Sequence, residues 1–314
     1  MMKETTKPPV GRFAPSPSGR MHLGNVFSAL LAWLSVRSQG GRIILRIEDL
    51  DPDRSKPEFA DAIRRDLCWL GLDWDEESLC QSERTEVYRQ AFDTLSARGL
   101  VYPCYCTRAE LHAASAPHAS DGRTIYAGTC RSLTEAERAL IARRPAWRLR
   151  VADRTVEFRD GLRGLYREAL ASECGDFIIR RSDGVFAYQL AVTVDDADMG
   201  VTQVVRGSDL LSSTPRQLYL FDLLGKRAPD YYHVPLLTAP DGRRLSKRDG
   251  DLDMEALRQH MDAPEIIGIL ACAAGINPHC EPVTPRELAA DFSWDGVTRA
   301  ETVSIRNVIE NHRI

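Results

Sequence analysis

The 314-residue chain has no long hydrophobic run, and that absence argues against a membrane-spanning helix. Its most apolar stretch, Val26 to Val36, is broken by Ser28 and Ser35 and stopped by Arg37, far short of the roughly 20 residues a bilayer requires. The leading MMKETTKPPVGRFAPSPSG lacks the continuous apolar segment of a secretory signal, so a cytoplasmic location is expected. Charge of one sign is not in excess: 41 Lys and Arg against 45 Asp and Glu leave −4, which neither requires nor forbids a nucleic-acid partner. Lysine is scarce, five against 36 arginines, and no function follows from that. Repeats and low-complexity tracts are absent, and with 43% hydrophobic residues the chain is not a disordered one. Eight cysteines spread over this length read as buried thiols or metal ligands rather than a disulfide framework.

What is present points to two domains with a small insertion. VGRFAPS (10–16) reads as a short strand stopped by Pro15, Pro17 and Gly19. A helix follows from about His22 to Ser38, with Leu23, Phe27, Leu30, Leu31 and Leu34 at three- and four-residue spacing and Gly40–Gly41 at its end. RIILRIEDLDP reads as a mostly buried strand with acids at its C-terminal end, and helical patterns return at 57–71 and 83–98. This strand–helix alternation predicts an α/β fold, a parallel sheet with helices on both faces. Residues 102–131, rich in Cys, Gly, Ser and Pro, break the pattern and read as inserted. Over 147–195, WRLRV, FIIRR and FAYQLAVTV read as strands; VTQVVR (201–206) is another, followed by a helix through 214–224. The basic loop APDGRRLSKRDGD then precedes a mainly helical 252–314.

Two segments carry phosphate chemistry. In RFAPSPSGRMHLGN a strand, a turn of small residues and a helix start offer first-turn N–H groups and the positive end of a helix dipole to an anion. Gly24 lets a ligand approach the backbone, and His22 and Asn25 can donate to phosphate oxygens. In Arg244–Leu245–Ser246–Lys247–Arg248, a Lys beside a Ser suits charge developing on a transferring phosphate. Each alone has a bland reading, a capped helix or a solvated loop. Both on one α/β unit point to nucleotide activation.

These segments resemble the HIGH and KMSKS signatures of class I aminoacyl-tRNA synthetases. RFAPSPSGRMHLGN, RIEDLDPDR, GVFAYQLAVTVDDADMGVTQVVRGSDLL and STPRQLYL are similar to the glutamyl branch over about residues 10–250. Leu23 and Asn25 stand for Ile and His of the first signature, and Arg244 and Arg248 for the outer Lys and Ser of the second, while Lys247 is kept. The resemblance implies a Rossmann-type catalytic domain, with His22 and Lys247 catalytic and His22, Gly24, Asn25 and Lys247 binding ATP with magnesium. It implies that Arg12 and Tyr188 hold the side-chain carboxylate of L-glutamate, Arg206 the α-carboxylate and Glu48 the ammonium, with Ala14 and Ser16 lining the pocket. That set suits a ligand with two carboxylates and one ammonium.

Cys104-x-Cys106 and Cys130 on the inserted segment suggest a structural zinc, which takes four ligands. His112, His118 or Tyr126 can complete the set, and His is the default; the resemblance points instead to Tyr126. The implied organisation is 1–101 and 187–250 as two halves of the catalytic domain, 102–186 as an acceptor-binding-like insertion with its zinc subsite at 102–131, and 251–314 as a helical stem-contact-like segment. Sixty-seven residues follow Lys247, too few for the anticodon-binding domain of an ordinary glutamyl-tRNA synthetase. In this the chain resembles the truncated paralogues of that branch, and the resemblance implies that it attaches glutamate to queuosine at the wobble position of tRNA(Asp); a monomer is expected. The alternatives are a compact enzyme charging a tRNA 3′ end and a non-catalytic zinc-containing RNA-binding paralogue. Arg143, Arg144, Arg148 and Arg150 are the candidates for tRNA phosphate contacts.

Overall fold

Gly11 leaves no room for a side chain, since an added Cβ would lie 2.5 Å from Val36 Cγ2, and this close approach seats the first helix on the first strand. These are α1 (Leu23–Arg37) and β1 (Val10–Phe13) of the computed structural model, which describes residues 7–107, 109–110, 125–239 and 253–305. β2 (Arg42–Leu45), α2 (Pro57–Trp69) and β3 (Glu76–Glu77) follow, and β1, β2 and β3 pair in parallel, Arg12 opposite Ile44 and Ile44 opposite Glu76. Ile43, Ile44 and Leu45 are all buried, as a parallel strand covered on both faces must be. On the other side of β1, Thr202 donates its N–H to Val10 O and its hydroxyl accepts from Val10 N, both at 2.9 Å. That stitch brings in β9 (Gln203–Gly207), with β10 (Asp230–Val234) parallel beyond it. The layer thus runs β3, β2, β1, β9, β10, and its order reverses between β1 and β9.

Between those two strands in sequence lie α3 (Thr85–Ala97), β4 (Val101–Cys104), α4 (Glu135–Ala139), β5 (Ala146–Leu149), β6 (Thr155–Asp160), β7 (Gly164–Ala169), β8 (Phe177–Arg180) and α5 (Tyr188–Asp198). β4, β5 and β8 form an antiparallel sheet and β6–β7 a hairpin. After β9 come α6 (Thr214–Leu223), β10, β11 (Leu236–Thr238), α7 (Met254–Leu257), α8 (Ala263–Ala274), α9 (Pro285–Ala290) and β12 (Thr302–Ser304), which pairs in parallel with β11. One core gathers α1, α2 and α8 around the parallel strands; a second joins α3 and α5 to β5 and β8. No helix among the described residues is long and apolar enough to cross a membrane.

Three expectations need correction. FAYQLAVTV is not a strand: Tyr188 opens α5, whose Leu190 through Asp196 are all buried. The strand preference of Val192, Thr193 and Val194 yields to packing on several sides and to cations that pin the acids at the helix end. The C-terminal part is less helical than its pattern, since β12 closes on β11. Cys272 and Cys280, expected as separate core thiols, are joined in a disulfide, because α8 ends on left-handed Gly275 and the following loop brings the two Cα atoms to 4.9 Å. Of the other cysteines expected in the core, Cys174 is buried, whereas Cys68 is exposed and Cys80 half-buried.

Candidate active site and metal cluster

A cavity of about 440 Å³ opens beyond the C-terminal ends of β1 and β9, where the strand order reverses and α/β sheets bind ligands. Arg12, Ala14, Ser16, Glu48, Tyr188 and Arg206 line it together, with His22, Gly24 and Asn25 at one end. Lys247 lies outside the described residues, but the described residues on either side of that segment reach the site. Leu236 and Leu237 line the cavity, and Asp253 makes a backbone bridge to His22.

At the helix start the His22 Nδ1 accepts from the Gly24 N–H at 3.1 Å while Asn25 Oδ1 accepts from the His22 N–H at 3.1 Å, a reciprocal cap. This fixes the proton of neutral His22 on Nε2, where it can be donated to an anion. The His22 ring also explains Gly24: a Cβ there would lie 3.0 Å from the imidazole.

The acid end rests on Arg46, which sequence reasoning missed. Fully buried, it donates to Glu48 Oε1 from Nη2 at 2.9 Å and from Nε at 3.3 Å, and to Asp196 Oδ1 from Nη1 at 2.7 Å; Asp195 lies 3.7 Å away. Asp195 is held further by Arg84, Gln81 and Tyr88. Burial raises the Glu48 pKa, and Arg46 and Arg12 only partly offset it. Burial likewise pushes up the Tyr188 phenol, which keeps its proton to donate. The acids of VDDAD and the arginine of RIED were visible in sequence; their meeting depends on α5 being a helix.

The two cavity arginines are incompletely bonded. Arg12 lies 3.5 Å from Asp196, and its buried Nε has no hydrogen-bond partner among the described residues. Arg206 donates from Nε to His233 Nε2 at 3.0 Å and from Nη2 to Thr214 Oγ1 at 2.8 Å, leaving buried Nη1 without a partner there. A buried guanidinium N–H left unpaired is costly, so a carboxylate in the cavity is the natural complement.

The sulfur atoms of Cys104, Cys106 and Cys130 lie within 4.8 Å of one another and can hold a metal ion. Cys106 and Cys130 are 3.6 Å apart, and the Tyr126 hydroxyl lies 3.5 Å from Cys104 Sγ and 3.8 Å from Cys106 Sγ. Tetrahedral ligands on zinc–sulfur bonds of about 2.3 Å sit about 3.8 Å apart, so the four atoms fit such an ion. His112 and His118 lie outside the described residues. Burial resists ionisation of Cys104, but hydrogen bonds from Tyr126 and Arg148 outweigh it and lower its pKa; burial pushes Cys106 up to about 11. Arg148 stacks 3.8 Å over the Tyr126 ring and donates to Cys104 Sγ at 3.2 Å. It is therefore buried beneath the cluster and unable to meet tRNA phosphates. Arg150, half-buried, lies over Tyr102 and donates to Arg131 O, whereas Arg143, paired with Glu110, and Arg144 are exposed.

Residues 10–310 match the family of tRNA synthetases class I (E and Q), catalytic domain. The chain is 52% identical over 290 residues to the Glutamyl-Q tRNA(Asp) synthetase of Nitratidesulfovibrio vulgaris, covering 88% of this chain and 90% of that protein. It is 48% identical over 315 residues to the protein of that name from Symbiobacterium thermophilum, covering 94% and 97%. Among solved structures, a glutamate tRNA ligase from Elizabethkingia meningosepticum in complex with its amino acid superposes with a TM-score of 0.81 at 27% identity, over 95% of this chain and 67% of that one. With a family model and relatives of this identity spanning most of its length, the chain belongs to the class I glutamyl and glutaminyl tRNA synthetases, in the branch of the glutamyl-Q tRNA(Asp) synthetases.

Proposed function

We propose that this protein activates L-glutamate with ATP and transfers it to queuosine at the wobble position of tRNA(Asp). The observation that carries the reading is one cavity lined by two under-bonded arginines and a glutamate, in a chain whose relatives share that name over nearly their whole length. Arg12 and the Tyr188 hydroxyl take the side-chain carboxylate. Arg206 takes the α-carboxylate through Nη1, and Glu48 takes the ammonium through Oε2, since Arg46 engages Oε1. An α-carboxylate oxygen so held attacks the α-phosphorus of ATP. The bond to pyrophosphate breaks, and glutamyl-adenylate forms. His22 Nε2–H, the start of α1 and Lys247 stabilise charge on the phosphates. Magnesium, when bound to ATP, supplies further neutralisation. A hydroxyl of the modified base then attacks the carbonyl and releases AMP. We take 102–186 as the unit inserted between the catalytic halves.

Labelled glutamate with ATP is expected to modify tRNA(Asp) carrying queuosine, and neither queuosine-free tRNA(Asp) nor tRNA(Glu). Label at the 3′ end of tRNA(Glu) would make this a compact charging enzyme instead. No glutamate-dependent ATP turnover with any tRNA would leave a non-catalytic paralogue.

Cys104, Cys106, Tyr126 and Cys130 are proposed to hold one zinc ion, remote from the chemistry, that clamps the inserted segment. Three thiolates and a phenolate would leave such a site net negative, and Arg148 supplies the buried counter-charge. Arg148→Met is expected to weaken zinc binding about 10- to 100-fold, read by chelator competition against a colorimetric zinc indicator. Unchanged competition would show that Arg148 is only packing.

A further inference from the structure

Behind Arg206 lies a chain of buried groups that the reaction as described does not use. His233, on β10, is fully buried, with Nε2 3.0 Å from Arg206 Nε and Nδ1 2.6 Å from Asp160 Oδ2. Asp160, at the end of β6, is equally buried, and its other oxygen accepts three backbone N–H groups: Leu162 at 3.0 Å, Arg163 at 2.8 Å and His233 at 3.2 Å. The carboxylate is therefore locked in one rotamer with Oδ2 turned to the imidazole. We infer that Asp160 and His233 are positioning residues that set the aim of Arg206: Asp160 fixes the imidazole tautomer with its proton on Nδ1, so that Nε2 accepts from Arg206 Nε and leaves Nη1 for the amino-acid carboxylate.

The donor and acceptor inventory makes the assignment one-way. An arginine has only donors, so Nε2 facing it must present a lone pair, and the single proton of a neutral imidazole must sit on Nδ1. An ionised Asp160 is the partner that stabilises that arrangement. The groups around the ring agree. Burial and Arg206 hold His233 below its ordinary pKa, Asp160 opposes them, and Arg163, which donates to His233 O, also disfavours a second charge. Tyr231 stacks on the imidazole at 6.0 Å and 10°, which fixes the ring plane. Thr214 Oγ1, 3.2 Å from Nε2, accepts from Arg206 Nη2 and sets the second point of the guanidinium. Two fixed points define a planar group, and its third nitrogen, Nη1, is then aimed without further contacts.

This inference rests on the reading of Arg206 as a glutamate ligand, and Asp160→Asn tests it. The asparagine oxygen keeps the three backbone N–H bonds, which turns its NH₂ toward Nδ1. The imidazole proton is then driven to Nε2, where it meets the Arg206 donor head-on. Glutamate-dependent ATP–pyrophosphate exchange is expected to lose about 30- to 100-fold in kcat/KM for glutamate, with KM for ATP within twofold of wild type. In an Arg206→Ala background, Asp160→Asn is expected to cost nothing further, because the group it aims is gone. If Arg206→Ala is severely impaired but Asp160→Asn alone stays within twofold of wild type, the relay is overturned while the role of Arg206 stands. If Arg206→Ala itself leaves glutamate kinetics unchanged, the underlying reading fails first. Nitrogen chemical shifts of the histidines in the wild-type protein, with His233 identified by loss of its signals in His233→Gln, give a check that needs no folded Asp160 variant. A proton on Nδ1 supports the relay, and a proton on Nε2 removes it.

Discussion

Arg46→Leu is expected to lower the unfolding free energy by about 3–5 kcal/mol, the usual cost of stripping one partner from a buried ion pair. Arg46 is fully buried and is the cation nearest both Glu48 and Asp196. Without it the Glu48 carboxylate has no other hydrogen bond, and Asp196 keeps only Arg12 at 3.5 Å, among the described residues. Asp195 suffers less, because Arg84 remains at 2.8 Å and Gln81 at 2.7 Å. Leucine roughly preserves the buried volume, so the loss reports the stranded carboxylates rather than a cavity. A double variant, Arg46→Leu with Asp196→Asn, is expected to recover part of the loss by removing one stranded charge. Urea unfolding followed by tryptophan fluorescence measures both. A drop below 1 kcal/mol for the single variant would mean that water or rearrangement rescues these acids and that the network is not the keystone between β2 and α5.

That network also shows why part of the site was hidden in sequence. Arg12, His22, Glu48, Tyr188 and Arg206 were legible because they fall inside motifs with fixed spacing, and each motif end sits where a strand or helix end meets the cavity. Arg46, Asp195 and Asp196 lie inside the same motifs, but they meet one another across 149 and 150 positions, which no local pattern encodes. The strand-like pattern of 186–194 hides them further: on a strand, Asp195 and Asp196 point to opposite faces, whereas on α5 both are buried. Similarly, Arg148 sits on β5 opposite Tyr102, with its head beneath Tyr126. From spacing alone it was indistinguishable from its exposed neighbour Arg144. The parallel layer, by contrast, follows directly from α1: its apolar positions recur around nearly the whole helix, and such a helix has to be covered by strands on one side and helices on the other.

Arg12→Ala is expected to cost the largest share of activity, about 100- to 1,000-fold in kcat/KM for glutamate, or about 3–4 kcal/mol at 1.4 kcal/mol per tenfold. Arg12 is buried on β1, yet its protein contacts are weak: 3.5 Å to Asp196 and 3.5 Å from Nη1 to Val205 O. A guanidinium held so loosely by its own fold keeps most of its hydrogen-bonding capacity for a ligand carboxylate. Asp196 retains Arg46 at 2.7 Å, so the alanine variant is expected to stay folded, with an unfolding midpoint near wild type. The selection of glutamate over glutamine follows from the same geometry. A neutral amide offers one acceptor where the carboxylate offers two, and it turns an NH₂ toward a cation that has only donors. Arg12→Ala is therefore expected to shrink the glutamate preference as well as the rate, because the group that rejects the amide is also the one that holds the acid. Arg12→Lys should recover part of the rate through its charge but little of the discrimination, since an ammonium cannot present the planar fork. Pyrophosphate exchange with each amino acid, with tRNA present, separates the two effects. Rates within threefold of wild type for Arg12→Ala would place the reading of the side-chain carboxylate on Tyr188 alone, and the pairing of two arginines with two carboxylates would have to be abandoned.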